Sequence, residues 1–145
     1  VGTGTPVDEK KCRELCQNLG IAKKIFWHGW QSSPWAYVRK MIGAVNCLVL
    51  CSRYEGFPMV LVEALSYGIP CISSDCPTGP SDIIENGENG LLYDCADKTG
   101  LLTCLEKMYK QGVALRDEGI KGSIKKFYEE SYFKLIDGVL LESER

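Results

Sequence analysis

Short apolar runs alternate along this chain with longer stretches whose apolar residues recur every three or four positions, and glycine and proline mark the joins. Residues 46–51 form one such run, rich in Val, Leu and Cys, the pattern of a strand buried on both faces. Ser52-Arg53-Tyr54-Glu55-Gly56-Phe57-Pro58 breaks it. Pro58 suits the first position of a helix, because it lacks only an N–H that the first turn does not use. Met59, Leu61, Val62 and Leu65 then share a helical face. Tyr67-Gly68 ends the helix, with glycine free to take a left-handed cap.

The same pattern continues on either side. Thr5 and Asp8 make a capping box before a helix with Cys12, Leu15, Cys16 and Leu19 on one face and Gly20 at its end. Residues 25–28 predict a strand, with Gly29-Trp30-Gln31 as its exit loop. Ser33 and Pro34 open a helix with Trp35, Val38, Met41 and Ile42 inward. Residues 71–74 predict a strand, 75–80 its loop, 81–85 a brief helix, and 91–93 a last strand between Asn-Gly turns. Residues 97–111 predict a helix with Leu101, Leu102, Leu105 and Met108 apolar, and 114–128 and 132–141 predict two more.

Strands and helices in alternation predict an α/β fold, a Rossmann-like parallel sheet with helices on both faces. Ligands bind such sheets at the carboxyl ends of the strands. The exit loops carrying Trp30, Glu55 to Met59, and Thr78-Gly79-Pro80 are expected to meet there.

Composition narrows the classes. The chain has 145 residues, enough for one domain with a real core. Its 17 basic and 19 acidic residues leave a net charge of −2, which argues against a nucleic-acid partner held by phosphate contacts. No apolar run approaches the ~20 residues of a membrane span. The eight cysteines contain no Cys-x-x-Cys. Cys12 and Cys16 have helical spacing, but the single histidine, His28, and the lack of a second close pair argue against zinc. The cysteines read as small hydrophobes and reduced thiols, which predicts a cytoplasmic location. Val1-Gly2-Thr3-Gly4 lacks the third glycine of a dinucleotide loop.

The turn before Met59 carries the chemistry. The amides of Met59, Val60 and Leu61 begin a helix, have no helical carbonyl to serve, and lie in the positive potential of its dipole. A phosphate fits there. Glu55 and Glu63 would repel a phosphate but accept hydrogen bonds from hydroxyl groups. An anion site between two hydroxyl acceptors describes a sugar nucleotide.

The segment Glu55-Gly56-Phe57-Pro58-Met59-Val60-Leu61-Val62-Glu63, followed by Ala64-Leu65-Ser66-Tyr67-Gly68-Ile69-Pro70, resembles the E-x7-E segment of retaining GT-B glycosyltransferases of family 4. The likeness covers nearly the whole chain and is to the C-terminal, donor-binding half of such an enzyme. Trp27-His28-Gly29-Trp30-Gln31-Ser32-Ser33-Pro34-Trp35 and Ser66 to Cys76 extend it toward the galactosyltransferases of the lipopolysaccharide core. Asp82 stands where many members have Glu.

The resemblance implies transfer of galactose from UDP-galactose, or of another hexose from its UDP-hexose, to a lipopolysaccharide core acceptor at the cytoplasmic face of the inner membrane. It makes Glu55 the catalytic residue, holding the hydroxyls of the donor hexose. Glu63 would accept the ribose hydroxyls. Gly56, Phe57, Met59 and Val60 would touch the hexose and phosphates through their backbone, and Trp30 would pack on uracil. Val1 and Gly2 would lie under the nucleotide, and Thr78-Gly79-Pro80 would close the pocket wall. It divides the chain into a donor-binding domain over 1–128 and a crossover helix over 129–145, whose apolar face could pair with a second copy. The acceptor domain and a basic pair for the diphosphate would lie upstream of Val1, so residues 1–145 alone are expected to be inactive. No metal or cofactor is expected, since Asp-x-Asp is absent. A non-catalytic nucleotide-sugar-binding module and a UDP-sugar epimerase are the alternatives, and epimerases lack the Gly-Phe-Pro turn.

Overall fold

The computed structural model describes residues 4–41 and 43–128, so Val1, Gly2, Ile42 and the helix expected over 132–141 lie outside the described residues. The chain forms two compact units, residues 1–44 and 45–145.

The first unit holds two helices. Helix α1, Pro6–Asn18, starts as its capping box requires, with the Asp8 amide donating to Thr5 Oγ1 at 3.2 Å. Its apolar face is not buried: Leu15 is 56% and Leu19 61% exposed. Residues 25–28 take no regular secondary structure and join no described sheet, so the expected strand does not form. His28 is instead held by the Tyr37 hydroxyl, 3.0 Å from Nδ1, and the Arg13 guanidinium lies 4.7 Å from the centre of the Trp27 ring. Helix α2, Pro34–Met41, half-buries Trp35 and Val38 but leaves Met41 largely exposed.

The second unit is built on a three-stranded parallel sheet in the order β1, Leu48–Leu50, then β2, Cys71–Asp75, then β3, Gly90–Asp94. The register pairs Leu48 with Cys71 and Cys71 with Gly90. Burial corrects one expectation. β2, the central strand, and not β1 is the one buried on both faces, because helices pack over it, and Val49 on β1 is 40% exposed. Gly90 serves the register directly: a Cβ there would stand 2.5 Å from the Cys71 carbonyl oxygen.

Three described helices pack on this sheet, α3, Met59–Ser66, α4, Pro80–Ile83, and α5, Gly100–Lys110, and a further one, α6, Asp117–Ser123, packs on α3. Leu61, Leu65, Ile72, Ile83, Leu91 and Ile124 are the large, fully buried side chains of the core. Helix α5 buries Gly100, Cys104 and Met108, one face at a spacing of four, while Leu102 is 59% exposed. Three thiols, Cys71, Cys76 and Cys104, are core groups as expected, but Cys12, Cys51 and Cys95 are exposed, and all eight are free. Burial raises the pKa of the Cys71 and Cys104 thiols, holding them protonated.

A buried amide fastens the loop before β3. Asn89 is fully buried; its Oδ1 accepts from the Glu85 amide at 3.0 Å, and its Nδ2 donates to the Ile83 carbonyl at 3.2 Å and to Ser123 Oγ at 2.8 Å. Asn89→Ala would take this partner from the Glu85 amide and the Ile83 carbonyl, while Ser123 Oγ keeps its bond to the Ile120 carbonyl, and should lower stability by about 1–3 kcal/mol. A fall in the urea midpoint with an unchanged m value checks this; a wild-type midpoint would show that water replaces the amide.

Candidate functional site

The site grows from the carboxyl ends of β1 and β2. Ser74 Oγ on β2 donates to the Ser52 carbonyl at 2.6 Å, fixing the start of the turn that follows β1. Glu55 lies half-buried in that turn, and its carbonyl accepts a hydrogen bond from Thr78 Oγ1 on the loop after β2. Gly79 sits beside it with φ +95. A Cβ at Gly79 would stand 2.6 Å from Pro58 Cδ and 2.7 Å from the Gly56 carbonyl oxygen, so the two loops are in close backbone contact. Gly56 differs: no atom lies within 4 Å of where its Cβ would be, and the approach to this backbone is open.

The turn hands the chain to α3 one residue later than expected. Pro58, with ψ 87, is the N-cap, and Met59 is the first helical residue. The Leu61 amide donates to the Pro58 carbonyl at 2.9 Å. That withdraws Leu61 from the expected anion site and leaves the amides of Met59 and Val60 as those the helix does not use. Burial then fixes the phase of α3. Leu61, Val62, Ala64 and Leu65 face the core, so Met59 turns outward, 55% exposed, against the inward expectation. Met59 lies only about 40° around the helix axis from Glu63, which is also exposed. Glu55 and the open backbone at Gly56 precede the first amides of α3 in the turn, and the exposed Glu63 lies one helical turn beyond them.

Phe57 closes one side. Its ring meets Phe127 edge to face, 5.3 Å between centres, and Phe127 lies in a short 3-10 turn, Lys125–Phe127. Lys126 of that turn pairs with Glu85 at 3.6 Å. Sequence reasoning had no signal for this contact, because 70 residues separate the two rings. At the end of β3, burial first and then a bond with Cys51 push the Tyr93 hydroxyl up to about 12, so it stays protonated at neutral pH.

Trp30 belongs to the first unit, where it is 70% exposed on the loop before α2. A hollow of 620 Å³ lies at the amino ends of the strands, lined by Asn46, Cys47, Pro70, Met108 and Ile120 among others. It is at the opposite edge of the sheet from Glu55 and forms no part of this site.

Residues 1–126 match the family described as glycosyl transferases group 1. The chain is 42% identical over 140 residues to the lipopolysaccharide 1,6-galactosyltransferase of Escherichia coli strain K12, covering 97% of this chain and 39% of that protein. It is 44% identical over 134 residues to the protein of the same description from Salmonella typhimurium, covering 92% and 37%. Among solved structures it matches the lipopolysaccharide outer core galactosyltransferase WaaB in its apo form, with a TM-score of 0.89 at 42% identity, over 98% of this chain and 39% of that one. The chain thus spans well under half the length of these relatives. Anabaena Alr3699/HepE in complex with UDP shares the fold at a TM-score of 0.70 and 21% identity. With its parallel α/β sheet and this run of matches, the chain belongs to the group 1 glycosyl transferases, and its fold is that of the C-terminal half of a GT-B glycosyltransferase.

Proposed function

We propose that this chain is the donor-binding half of a retaining galactosyltransferase that moves galactose from UDP-galactose to the lipopolysaccharide core. One observation carries the reading: Glu55 and Glu63 flank the open start of α3 at the carboxyl edge of the parallel sheet. Carboxylates on either side of two helix-start amides suit hydroxyls on either side of a diphosphate. The names of the most similar relatives support the reaction and the acceptor.

In this reading Glu55 holds the hexose hydroxyls and Glu63 the ribose hydroxyls. The backbone from Gly56 to Val60 meets the phosphates, Trp30 packs on uracil, and Val1 and Gly2 lie under the nucleotide. The helix amides and basic residues of the whole protein neutralise the leaving diphosphate, so no metal is required. The departing phosphate helps to deprotonate the acceptor on the same face, which retains the anomeric configuration. No described helix is long and apolar enough to cross a membrane. The whole protein would work peripherally, at the cytoplasmic face of the inner membrane. The direct test compares turnover of UDP-galactose and UDP-glucose by the full-length protein; preference for UDP-glucose would overturn the choice of sugar.

Glu63 provides a separate test of the nucleotide assignment. Glu63→Ala should weaken UDP binding by ~1.5–3 kcal/mol, the range for hydrogen bonds to a charged group. Calorimetry with UDP and with 2′,3′-dideoxy-UDP checks it. The dideoxy ligand should bind wild type and variant alike, and an equal loss for both ligands would remove the ribose role.

A further inference from the structure

The turn that presents Glu55 is weakly determined by its own residues. Gly56 follows at once, with free φ and ψ and no side chain to pack, and no neighbour stands within 4 Å of its Cβ position. Gly56 therefore does little to hold the peptide plane between Glu55 and itself, and a shift of this backbone would carry the Glu55 side chain with it. What holds that plane comes from the next loop: Thr78 Oγ1 donates to the Glu55 carbonyl oxygen. Thr78 is itself exposed, so its methyl group adds little to the core. Its neighbours keep it in place. Gly79 is pressed against Gly56 and the Pro58 ring, and the Ser74 to Ser52 bond, at 2.6 Å, ties the same two loops one step nearer the sheet.

We infer that Thr78 is a positioning residue for sugar transfer, fixing the Glu55 carboxylate by pinning the Glu55 carbonyl. This rests on the assignment of Glu55 to the donor hexose. A hydroxyl on one loop holds the backbone of another, so its effect belongs to the orientation of one carboxylate and not to nucleotide binding. Orientation acts on the transition state more than on ground-state affinity.

The test uses the full-length protein and four variants, Thr78→Val, Thr78→Ser, Glu55→Gln and the double variant Glu55→Gln with Thr78→Val. Thr78→Val keeps the shape and removes the donor. It should lower kcat about tenfold, the scale of one lost hydrogen bond, while UDP affinity by calorimetry stays within about twofold. Thr78→Ser should restore most of the rate, and on the Glu55→Gln background Thr78→Val should cost nothing further. If Glu55→Gln turns over like wild type, the Glu55 assignment fails and takes the inference with it. If Glu55→Gln is slow but Thr78→Val is at wild-type kcat, the positioning role alone fails. The role also fails if Thr78→Val weakens UDP in proportion to the rate, or costs the same factor with and without Glu55. Should Thr78→Val not fold, Thr78→Ala takes its place under the same criteria.

Discussion

Glu55→Gln in the full-length protein should lower kcat by ~10²-fold or more while UDP affinity barely moves. Glutamine keeps the size of the side chain and an oxygen that accepts hydrogen bonds. It removes the charge. In glycosyl transfer, positive charge develops on the hexose ring as the diphosphate departs, so a carboxylate beside that ring gains interaction in the transition state that it lacks with bound substrate. The placement of Glu55 supports this role. It lies half-buried at the mouth of the turn, upstream of the first amides of α3, and its backbone is anchored to Thr78. Steady-state kinetics with calorimetry on the same variant checks the prediction. A variant as fast as wild type would put the chemistry elsewhere, and a variant that loses UDP affinity in step with rate would make Glu55 a nucleotide ligand.

Gly79→Ala should have the larger structural effect. Gly79 has φ +95 and ψ −58, a conformation that costs an L-residue about 1–3 kcal/mol. The new Cβ would also stand 2.6 Å from Pro58 Cδ and 2.7 Å from the Gly56 carbonyl oxygen. Neither neighbour is the free end of a flexible side chain, so a whole loop must shift. Together these should cost ~3–5 kcal/mol of stability. The loops that separate are the two that hold Glu55, so the folded fraction should also lose ~10²-fold in kcat through misplacement of the carboxylate. Denaturant unfolding and the rate per folded molecule check the two parts. Wild-type stability would mean that the loop adjusts freely and the close contact is not a constraint.

The recognition of the site depended on residues close in sequence. Glu55 and Glu63 are eight positions apart, with glycine, proline and apolar residues between them. A turn feeding a helix needs no distant partner to be read, because capping, dipole and helical phase are local properties. Thr5 and Asp8 were legible for the same reason, and α1 starts where they place it. The run at 71–74 and the Asn-Gly turns around 91–93 likewise gave strands within a residue or so of their observed ends.

Where the reading missed, a distant partner decided. Residues 25–28 have the composition of a strand, but a strand exists only when another pairs with it, and none does so among the described residues. The apolar stripe of α1 is periodic yet exposed, since a stripe is buried by the layer opposite and not by its own spacing. The sequence put Met59 on the apolar face of α3, but Leu61, Ala64 and Leu65 set the inward face and leave Met59 outside it.

The sequence by itself determined the alternating α/β pattern, the E-x7-E turn and helix, and through them the family, because each is carried by local rules of propensity and spacing. Only the tertiary structure decided that β2 is the doubly buried strand and that the Leu61 amide is bonded to the Pro58 carbonyl. It also decided that Thr78, Gly79 and Phe127 hold the turn bearing Glu55 and Phe57. Those contacts join residues 21 to 70 positions apart. The contacts between the two loops form when the parallel register of β1 and β2 brings their carboxyl ends together, and local spacing alone does not name those partners.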